Sequence, residues 1–196
     1  MIEHLTLHHY QKMLWKNGLG FTYEIARSTQ DHTGDFDWRI SIAEVKNDSE
    51  FSLFKGKQRI ISVLSGAGMH LSLAQNIHAQ SHEVNVLPRT LFAFNGEQPV
   101  SCKLLNAPIQ DFNLIYRKDR IQPRIQWIND TAGQVILSSA RVLFIFNMAE
   151  KAMVEITQQQ YHLTPFDCLK ITNSDQILMI QLPESQIKDC CLIELF

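Results

Sequence analysis

Apolar and polar residues alternate at every second position over much of this chain. In the stretch 36–42, large apolar residues occupy the even positions, and Arg39 and Ser41 lie between them. Because successive side chains of a strand point to opposite faces, this pattern predicts a strand with one apolar face. The apolar run 59–64 leads through a Ser-Gly-Ala-Gly turn signal into 69–73, which predicts a hairpin.

Further short strands are predicted along the rest of the chain, and helical periodicity is nearly absent. The best helical candidate is the short stretch 8–14. Many short strands separated by turn signals are typical of an all-β sandwich or barrel with few short helices. The further strand candidates are 84–87, 91–95, 100–105, 111–117, 141–148, 152–156, 160–163, 168–172, 176–182 and 189–195.

The chain also repeats itself. When it is shifted by 78 residues, 95–115 falls on 173–193 with seven identities, where about one or two are expected by chance. We therefore predict two tandem halves, 1–117 and 118–196, with 118–134 as the connection at the start of the second half. The same shift pairs Asp111 with Asp189 and Asn113 with Cys191, and a small loop gap upstream pairs Arg59 with Arg141.

These pairs indicate which half holds a ligand site. The second half keeps the aspartate, which favours a scaffold role for Asp111, but it has no amide in the place of Asn113. A pocket is therefore expected in the first half.

Composition excludes several classes of function. The chain has 196 residues, 45% of them hydrophobic, and a formal net charge of −2, so it lacks the basic character of a nucleic-acid-binding protein. It shows no apolar run of transmembrane length and no basic leader, so we expect a cytoplasmic protein without a membrane partner. None of the four cysteines lies in a CxxC pair, which predicts free buried thiols.

Polar residues next to glycine form the first candidate for a functional site. Trp15, Lys16 and Asn17 precede Gly18 and Gly20. Glycine permits tight backbone geometry, which would turn these side chains into a cavity. The alternative is a structural turn before a strand.

Two arginines in apolar strands form a second candidate. Arg39 and Arg59 need partners if they point inward, because an uncompensated buried charge is costly. Their planar guanidinium groups suit a ligand carboxylate or phosphate, and the alternative is an internal ion pair with Asp111 or Glu24. Asp111 and Asn113 are two residues apart, so they share a strand face and would form a polar floor beside the arginines.

The sequence gives weaker support for a metal site made by histidines and for a serine hydrolase. His78 and His82 have the i,i+4 spacing of helical metal ligands, but 74–83 is polar and reads as a loop, so exposed side chains are expected. His8 and His9 are interpreted in the same way. The chain has neither a GxSxG elbow nor a Ser-His-Asp order, which argues against a hydrolase.

The order of elements in each half resembles the cupin barrel. Metal-binding cupins place an HxH pair followed by Glu in a first motif and a His in a second. The positions that resemble these are 52–55, Arg59 and 99–100, and none carries His or a carboxylate. Because a divalent site of this kind needs those donors, we expect no metal and no other cofactor.

Over essentially its whole length, the chain resembles the HutD/Ves family of bacterial bicupins. Lys55, Ile115 and the Ser-Glu pair at 49–50 depart from the family's usual residues without affecting the expected fold. The resemblance rests on four motifs: Trp15-Lys16-Asn17 with Gly20, Thr22, Glu24 and Ile25; Asp37-Trp38-Arg39 with Ser41; Phe51-Ser52-Leu53-Phe54 with Gly56 and Arg59; and Asp111-Phe112-Asn113 with Arg117.

The resemblance implies a role in histidine utilisation and the binding of a small carboxylate such as formylglutamate, urocanate or formate. It implies no established catalytic activity. We expect the two arginines to hold the carboxylate and Lys16 to add charge. The two amides would orient the ligand, Asp111 would orient an arginine, and Trp15 and Trp38 would form apolar walls. The polar family residues implied around the pocket are Trp15, Lys16, Asn17, Arg39, Arg59, Asp111 and Asn113.

The leading interpretation is therefore a metal-independent protein that binds a small carboxylate, as a regulator or sensor in histidine utilisation. One alternative is a metal-independent cupin enzyme of the isomerase or epimerase type, with Asp111 or Glu24 as general acid or base. Another is a structural or partner-binding protein with a vestigial pocket. Edge strands of such sheets often pair between copies, and we expect a homodimer.

Overall fold

A computed structural model of the chain shows two compact units. The N-terminal unit is Tyr10–Ile121, and the C-terminal unit combines Gln122–Phe196 with Met1–His9. The first nine residues, placed in the N-terminal half by chain order alone, lie in the C-terminal unit because Ile2–Leu5 pair with one of its strands. The structure describes residues 1–15, 20–29, 34–74, 81–128, 133–174, 176–183 and 189–196.

Regular structure in the described residues consists of strands and a single 3-10 turn at Leu7–His9. No helix in this part of the chain is long and apolar enough to cross a membrane. The strands are β1 (Ile2–Leu5), β2 (Gln11–Leu14), β3 (Gly20–Arg27), β4 (Trp38–Val45), β5 (Ser49–Glu50), β6 (Gln58–Ser65), β7 (Met69–Leu73), β8 (His82–Val86), β9 (Phe92–Asn95), β10 (Val100–Leu104), β11 (Ile109–Tyr116), β12 (Pro123–Ile128), β13 (Gln134–Ser138), β14 (Val142–Asn147), β15 (Ala152–Ile156), β16 (Gln159–Leu163), β17 (Cys168–Thr172), β18 (Leu178–Leu182) and β19 (Cys190–Leu195).

The strands predicted from alternation are confirmed, and the all-β class with them. The helical candidate 8–14 was wrong. After the 3-10 turn, Gln11–Leu14 form β2, which pairs with β3 through Gln11 and Glu24. Cross-strand pairing therefore overrides the weak local pattern, as is usual for strand residues.

The N-terminal unit contains two antiparallel sheets. The six-stranded sheet has the order β2-β3-β4-β11-β6-β9, and the four-stranded sheet has the order β5-β10-β7-β8. Apolar side chains of both sheets form one buried core, in which Ile61 of β6 and Leu71 of β7 are fully buried. Five of the predicted site residues lie in the six-stranded sheet: Trp38, Arg39, Arg59, Asp111 and Asn113.

The C-terminal unit repeats this order of strands. Its sheets are β1-β17-β14-β19-β12 and β13-β18-β15-β16. Strands β12, β19, β14 and β17 follow one another as β4, β11, β6 and β9 do in the N-terminal unit, so the internal repeat is confirmed for strand order. The four cysteines are buried and free, as predicted.

One strand of the C-terminal unit lies inside the predicted connection 118–134. Pro123–Ile128 form β12, which pairs with β19 at the edge of its sheet. Proline is tolerated here because it is the first residue of an edge strand. The proline and the short length concealed this strand in the sequence.

The residue-by-residue alignment of the two halves was wrong on the last strand. Cys190 and Leu192 belong to the apolar core, so Cys191 points to the opposite face of β19. A shift of one residue exchanges the two faces of a strand. The N-terminal unit also has a bulge where β11 pairs with β6, which one constant shift along the chain does not accommodate.

The proposed counterparts of Arg59 and Asp111 also lie outside the strands of the second half. Arg141 is exposed and immediately precedes β14, whereas Arg59 is buried within β6. Asp189 immediately precedes β19. The polar interior of the first half is therefore not copied at these positions.

Candidate anion-binding site

The central strands of the six-stranded sheet bring four predicted polar side chains together. Strand β11 lies between β4 and β6, and the register places Arg39 and Arg59 in one row on either side of it. Asn113 and Asp111 follow along β11 in steps of two residues, so they share a face. This is the core face, because Ile109 of the same strand belongs to the apolar core.

A chain of hydrogen bonds joins three of these side chains. The Arg59 guanidinium donates through Nη2 to Oδ1 of Asn113, and Nδ2 of Asn113 donates to Oδ1 of Asp111 at 2.8 Å. Arg59 is 6%, Asn113 4% and Asp111 1% exposed. A neutral amide therefore separates the cation from the carboxylate, and within the described ranges no ion pair joins Arg59 directly to an acidic side chain.

Aromatic rings and one carbonyl group complete the surroundings of Arg59. Its Cζ lies 4.5 Å from the ring centroid of Phe51, 5.2 Å from that of Phe94 and 5.6 Å from that of Phe54. Nη1 donates to the carbonyl oxygen of Ser52 over 3.4 Å, which is long for a hydrogen bond. Nε is buried without a partner among the described residues, so the guanidinium can take one more acceptor.

Arg39 has a similar environment. Its Cζ lies 5.1 Å from the ring centroid of Phe54 and 5.3 Å from that of Phe36, so Phe54 contacts both guanidinium groups. Its Nε is also buried and has no hydrogen-bond partner in the part of the chain that the structure describes. Glu24, considered as an ion-pair partner for the arginines, instead binds Arg27, whose Nε lies 2.9 Å from its Oε1.

Burial and mutual charge determine the protonation of this group. Burial lowers the pKa of Arg59 to about 10, with Asp111 opposing the shift and Arg39 adding to it, so the guanidinium stays charged at neutral pH. Burial raises the pKa of Asp111 to about 7, although Arg59, the Ala43 backbone N–H and the Asn113 amide favour the carboxylate. Burial also lowers the pKa of Arg39. The interior therefore holds two cations and one carboxyl group that is only partly ionised at neutral pH.

Trp15 packs near this sheet but has a structural partner. It contacts the apolar core, and its Nε1 donates to Oγ1 of Thr22 at 2.8 Å. Gly20 explains part of the motif, because a Cβ there would meet the Glu44 carbonyl oxygen and lie 3.2 Å from the Trp15 ring. The close approach of backbone and ring therefore requires glycine at this position.

Trp38 is not brought to the arginines. Trp38 is buried, but it is adjacent to Arg39 on β4 and therefore points to the opposite face of the sheet. Its assignment as a wall of the same pocket was wrong. Lys16 and Asn17 lie outside the described residues.

The aromatic enclosure of the arginines was missed in the sequence. Phe51 and Phe54 belong to the segment 51–57 between β5 and β6, and the Phe54 N–H donates to the Gly96 carbonyl oxygen at 2.7 Å. Phe94 pairs in register with Arg59. The Phe-Ser-Leu-Phe sequence just before an arginine-bearing strand was an available signal, because guanidinium groups favour aromatic faces.

Three cavities of the structure are not lined by any of these polar side chains. Their volumes are about 430, 450 and 290 Å³, and they are lined by other residues, among them Lys57, Met179 and His70 respectively. His82 is exposed, as predicted, but it lies in β8 and not in a loop, and His78 falls outside the described residues. In the described part of the chain, no three His, Cys, Asp or Glu side chains are arranged to hold a metal ion.

The C-terminal unit contains a different polar interior, which was not predicted. Glu194 is fully buried on the core face of β19, two residues from Leu192. Nε and Nη2 of Arg124 donate to its two carboxylate oxygens, and Ser138 Oγ donates to Oε1 at 2.6 Å. Here the cation and the carboxylate meet directly. A glutamate inside the apolar strand 190–195 was the available signal.

Comparison with known proteins identifies the family. The HutD family model matches residues 7–188. The 21.2 kDa protein in the hutC 3′ region of Pseudomonas putida is 40% identical over 187 residues, covering 95% of this chain and 93% of that protein. Protein Ves of Escherichia fergusonii is 33% identical over 135 residues, covering 68% of this chain and 67% of the relative.

Solved structures agree with these matches. HutD from Pseudomonas fluorescens SBW25, in a formate condition, has a TM-score of 0.85 and 36% identity, with 100% of this chain and 98% of that chain covered. Oxalate decarboxylase of Lactobacillus farciminis, at 8% identity and a TM-score of 0.66 over 98% of this chain and 85% of the other, shares the cupin fold. The chain therefore belongs to the HutD family of cupin-fold proteins.

Proposed function

We propose that the N-terminal unit binds a small carboxylate at Arg59 and Arg39, and that the protein acts as a regulator or sensor in histidine utilisation. In this structure the Ser52 carbonyl oxygen and the Phe54 ring lie next to the guanidinium groups. The ligand carboxylate takes their place. Bidentate pairing with a carboxylate is the interaction that the guanidinium fork favours most.

One observation carries this proposal: Arg59 is buried and charged, but its hydrogen-bond partners among the described residues, Asn113 and the Ser52 carbonyl group, are both neutral. A buried cation without a directly paired anion is costly, and a bound anion removes that cost. The buried Nε of each arginine, without a partner among the described residues, supplies a free donor for it.

The C-terminal unit provides an internal comparison. There the buried Glu194 carboxylate is paired directly with Arg124, which makes two contacts with it. The N-terminal unit places an amide, Asn113, between Arg59 and its carboxylate. The two units share the same order of strands, but only the arrangement in the N-terminal unit leaves the positive charge of its arginine available to a ligand.

The relatives support the metabolic setting and the ligand class. The Pseudomonas putida relative is named for its position in the hutC 3′ region, and the Pseudomonas fluorescens HutD structure is named for a formate condition. Formate, formylglutamate and urocanate all carry a carboxylate of the kind that two arginines hold. They are therefore the first ligands to test.

Replacing Arg59 with methionine tests the proposal. We expect affinity for the bound carboxylate to fall about 100-fold, because two charge-assisted hydrogen bonds at about 1.5 kcal/mol each are lost. The measurement is a calorimetric titration of formylglutamate, urocanate, formate and glutamate into the wild type and Arg59→Met. Methionine keeps the apolar volume, and Asp111 can take a proton once its cation is gone, so the variant should fold.

Arg120→Met is the matched control. Arg120 is an exposed arginine of the same unit that pairs with Asp37 at 2.9 Å. This variant should bind like the wild type. Failure of all four carboxylates to bind the folded wild type, or equal affinity in Arg59→Met, would contradict the proposal.

A metal-independent isomerase or epimerase is a second candidate, and one observation favours it. The pKa of Asp111, raised by burial to about 7, is suited to a general acid or base at neutral pH. In that case Asp111→Asn should abolish turnover of the bound carboxylate while binding persists. Absence of turnover by the wild type, followed by NMR of each bound carboxylate, would leave only the binding role.

A further inference from the structure

Asp111 is the only carboxyl group that the hydrogen bonds of the described residues connect to Arg59, and the connection passes through a neutral amide. An amide can accept and donate hydrogen bonds, but near neutral pH it is neither acidic nor basic enough to pass a proton between its partners. The charge of Arg59 therefore acts on Asp111 electrostatically through Asn113, without a shared proton. A change in charge beside Arg59 must change the balance between the carboxylate and the carboxylic acid at Asp111.

We propose that Asp111 takes up a proton from solvent when an anion binds at Arg59 and releases it when the anion leaves. This inference rests on the proposed function of the same site. Without ligand, Asp111 is the counter-charge nearest to Arg59 along the hydrogen-bond chain. With ligand, the bound carboxylate becomes the counter-charge, and a second negative charge in the buried interior is no longer compensated.

Of the groups in this interior, Asp111 is the one that we expect to change its protonation near neutral pH. From β6 and β4, Arg59 and Arg39 contribute positive charge that persists at neutral pH. From β10, Cys102 is buried, and burial together with Asp111 raises the pKa of its thiol to about 12. From β3, Glu24 is held by Arg27 at 2.9 Å.

The burial of Asp111 favours its protonated form. Its side chain is 1% exposed, so water cannot solvate the carboxylate. The pKa of Asp111, already raised to about 7 by burial, loses the opposing effect of Arg59 once that charge is neutralised.

The resulting behaviour is specific in sign and size. Above about pH 7 the free protein has mostly ionised Asp111, whereas the bound protein keeps Asp111 protonated to higher pH. Binding therefore consumes nearly one proton per ligand at pH 8. Affinity should fall by about tenfold or more between pH 6.5 and pH 8.5, in the direction of weaker binding at higher pH.

Formate and formylglutamate are suitable probes, because their carboxylates stay ionised throughout this range. Titration calorimetry at pH 8 in buffers of different ionisation enthalpy gives the number of protons taken up per ligand, and the dissociation constant is then followed from pH 6.5 to 8.5. We expect an uptake approaching one proton in the wild type. This measurement needs no variant.

Asp111→Asn identifies the group. Asparagine keeps an Oδ1 acceptor for Nδ2 of Asn113, so the hydrogen-bond chain persists without a titrating carboxyl group. Proton uptake should disappear and affinity should become nearly independent of pH. The matched control Asp37→Asn, at an exposed carboxylate paired with Arg120, should retain the uptake of the wild type.

The outcomes separate the two proposals. Binding without proton uptake by the wild type, or equal uptake in the wild type and Asp111→Asn, would overturn the role of Asp111 and leave the carboxylate site intact. No binding of either probe at any pH overturns both.

Discussion

Replacing Asn113 with leucine is expected to destabilise the N-terminal unit by about 2–5 kcal/mol. Leucine has nearly the same volume but can neither accept from Arg59 nor donate to Asp111. Both of those groups are buried, and leaving a buried polar or charged group without its partner costs about 1–3 kcal/mol, with more for charges. The Asn113 amide therefore contributes more to the free energy of unfolding than an ordinary side-chain amide does.

Urea unfolding of the wild type and Asn113→Leu at pH 7.5 measures this loss. Asn85→Leu is the matched control, because Asn85 is an exposed strand amide whose Oδ1 lies 2.7 Å from Nδ1 of His70. The control should cost well under 1 kcal/mol, since water replaces its lost contact. Equal losses in the two variants would show that the buried amide is not essential to the charge arrangement.

The pattern of period two was sufficient to place the polar side chains on their faces. Because β4 and β11 alternate strictly, Arg39 falls on one face of its strand, and Asp111 and Asn113 on one face of theirs. The same rule, applied to Trp38, contradicts its assignment to the site. The error came from treating neighbours in sequence as neighbours in space.

The contacts between these side chains were not available from the pattern. Arg59 and Asn113 are 54 positions apart, and they meet only because β6 pairs with β11. Strand order within a sheet depends on long-range pairing, which alternation along a single strand does not encode. For the same reason, the Phe51 and Phe54 rings could be noted as a motif but not placed over the guanidinium groups.

The repeat shows a different limit. Strand order agrees between the two units, yet the constant shift of 78 residues pairs Asn113 with Cys191, which faces away from the core. A one-residue difference is invisible in an alignment of apolar residues but reverses every face. For this reason, the alignment did not reveal Glu194, the buried acidic residue of the C-terminal unit.

Replacing Arg124 with methionine is expected to lower the free energy of unfolding of the C-terminal unit by about 3–5 kcal/mol at pH 8, because it leaves the Glu194 carboxylate without its cation. Glu194 is fully buried, and the variant leaves it with Ser138 as its remaining hydrogen-bond partner among the contacts described above.

The two partners should respond unequally, and this asymmetry is the sharpest part of the test. Arg124 is 55% exposed, so in Glu194→Gln it can turn to solvent, and a smaller loss is expected. Lys170→Met, which removes a partly exposed pair with Glu3, is the control and should cost no more than about 1 kcal/mol. Unfolding curves in urea at pH 8 compare the three variants. A loss in Arg124→Met that matches the lysine control would mean that Glu194 does not depend on Arg124 for its charge. The contrast between the two interiors would then no longer support an unpaired cation as the mark of the ligand site.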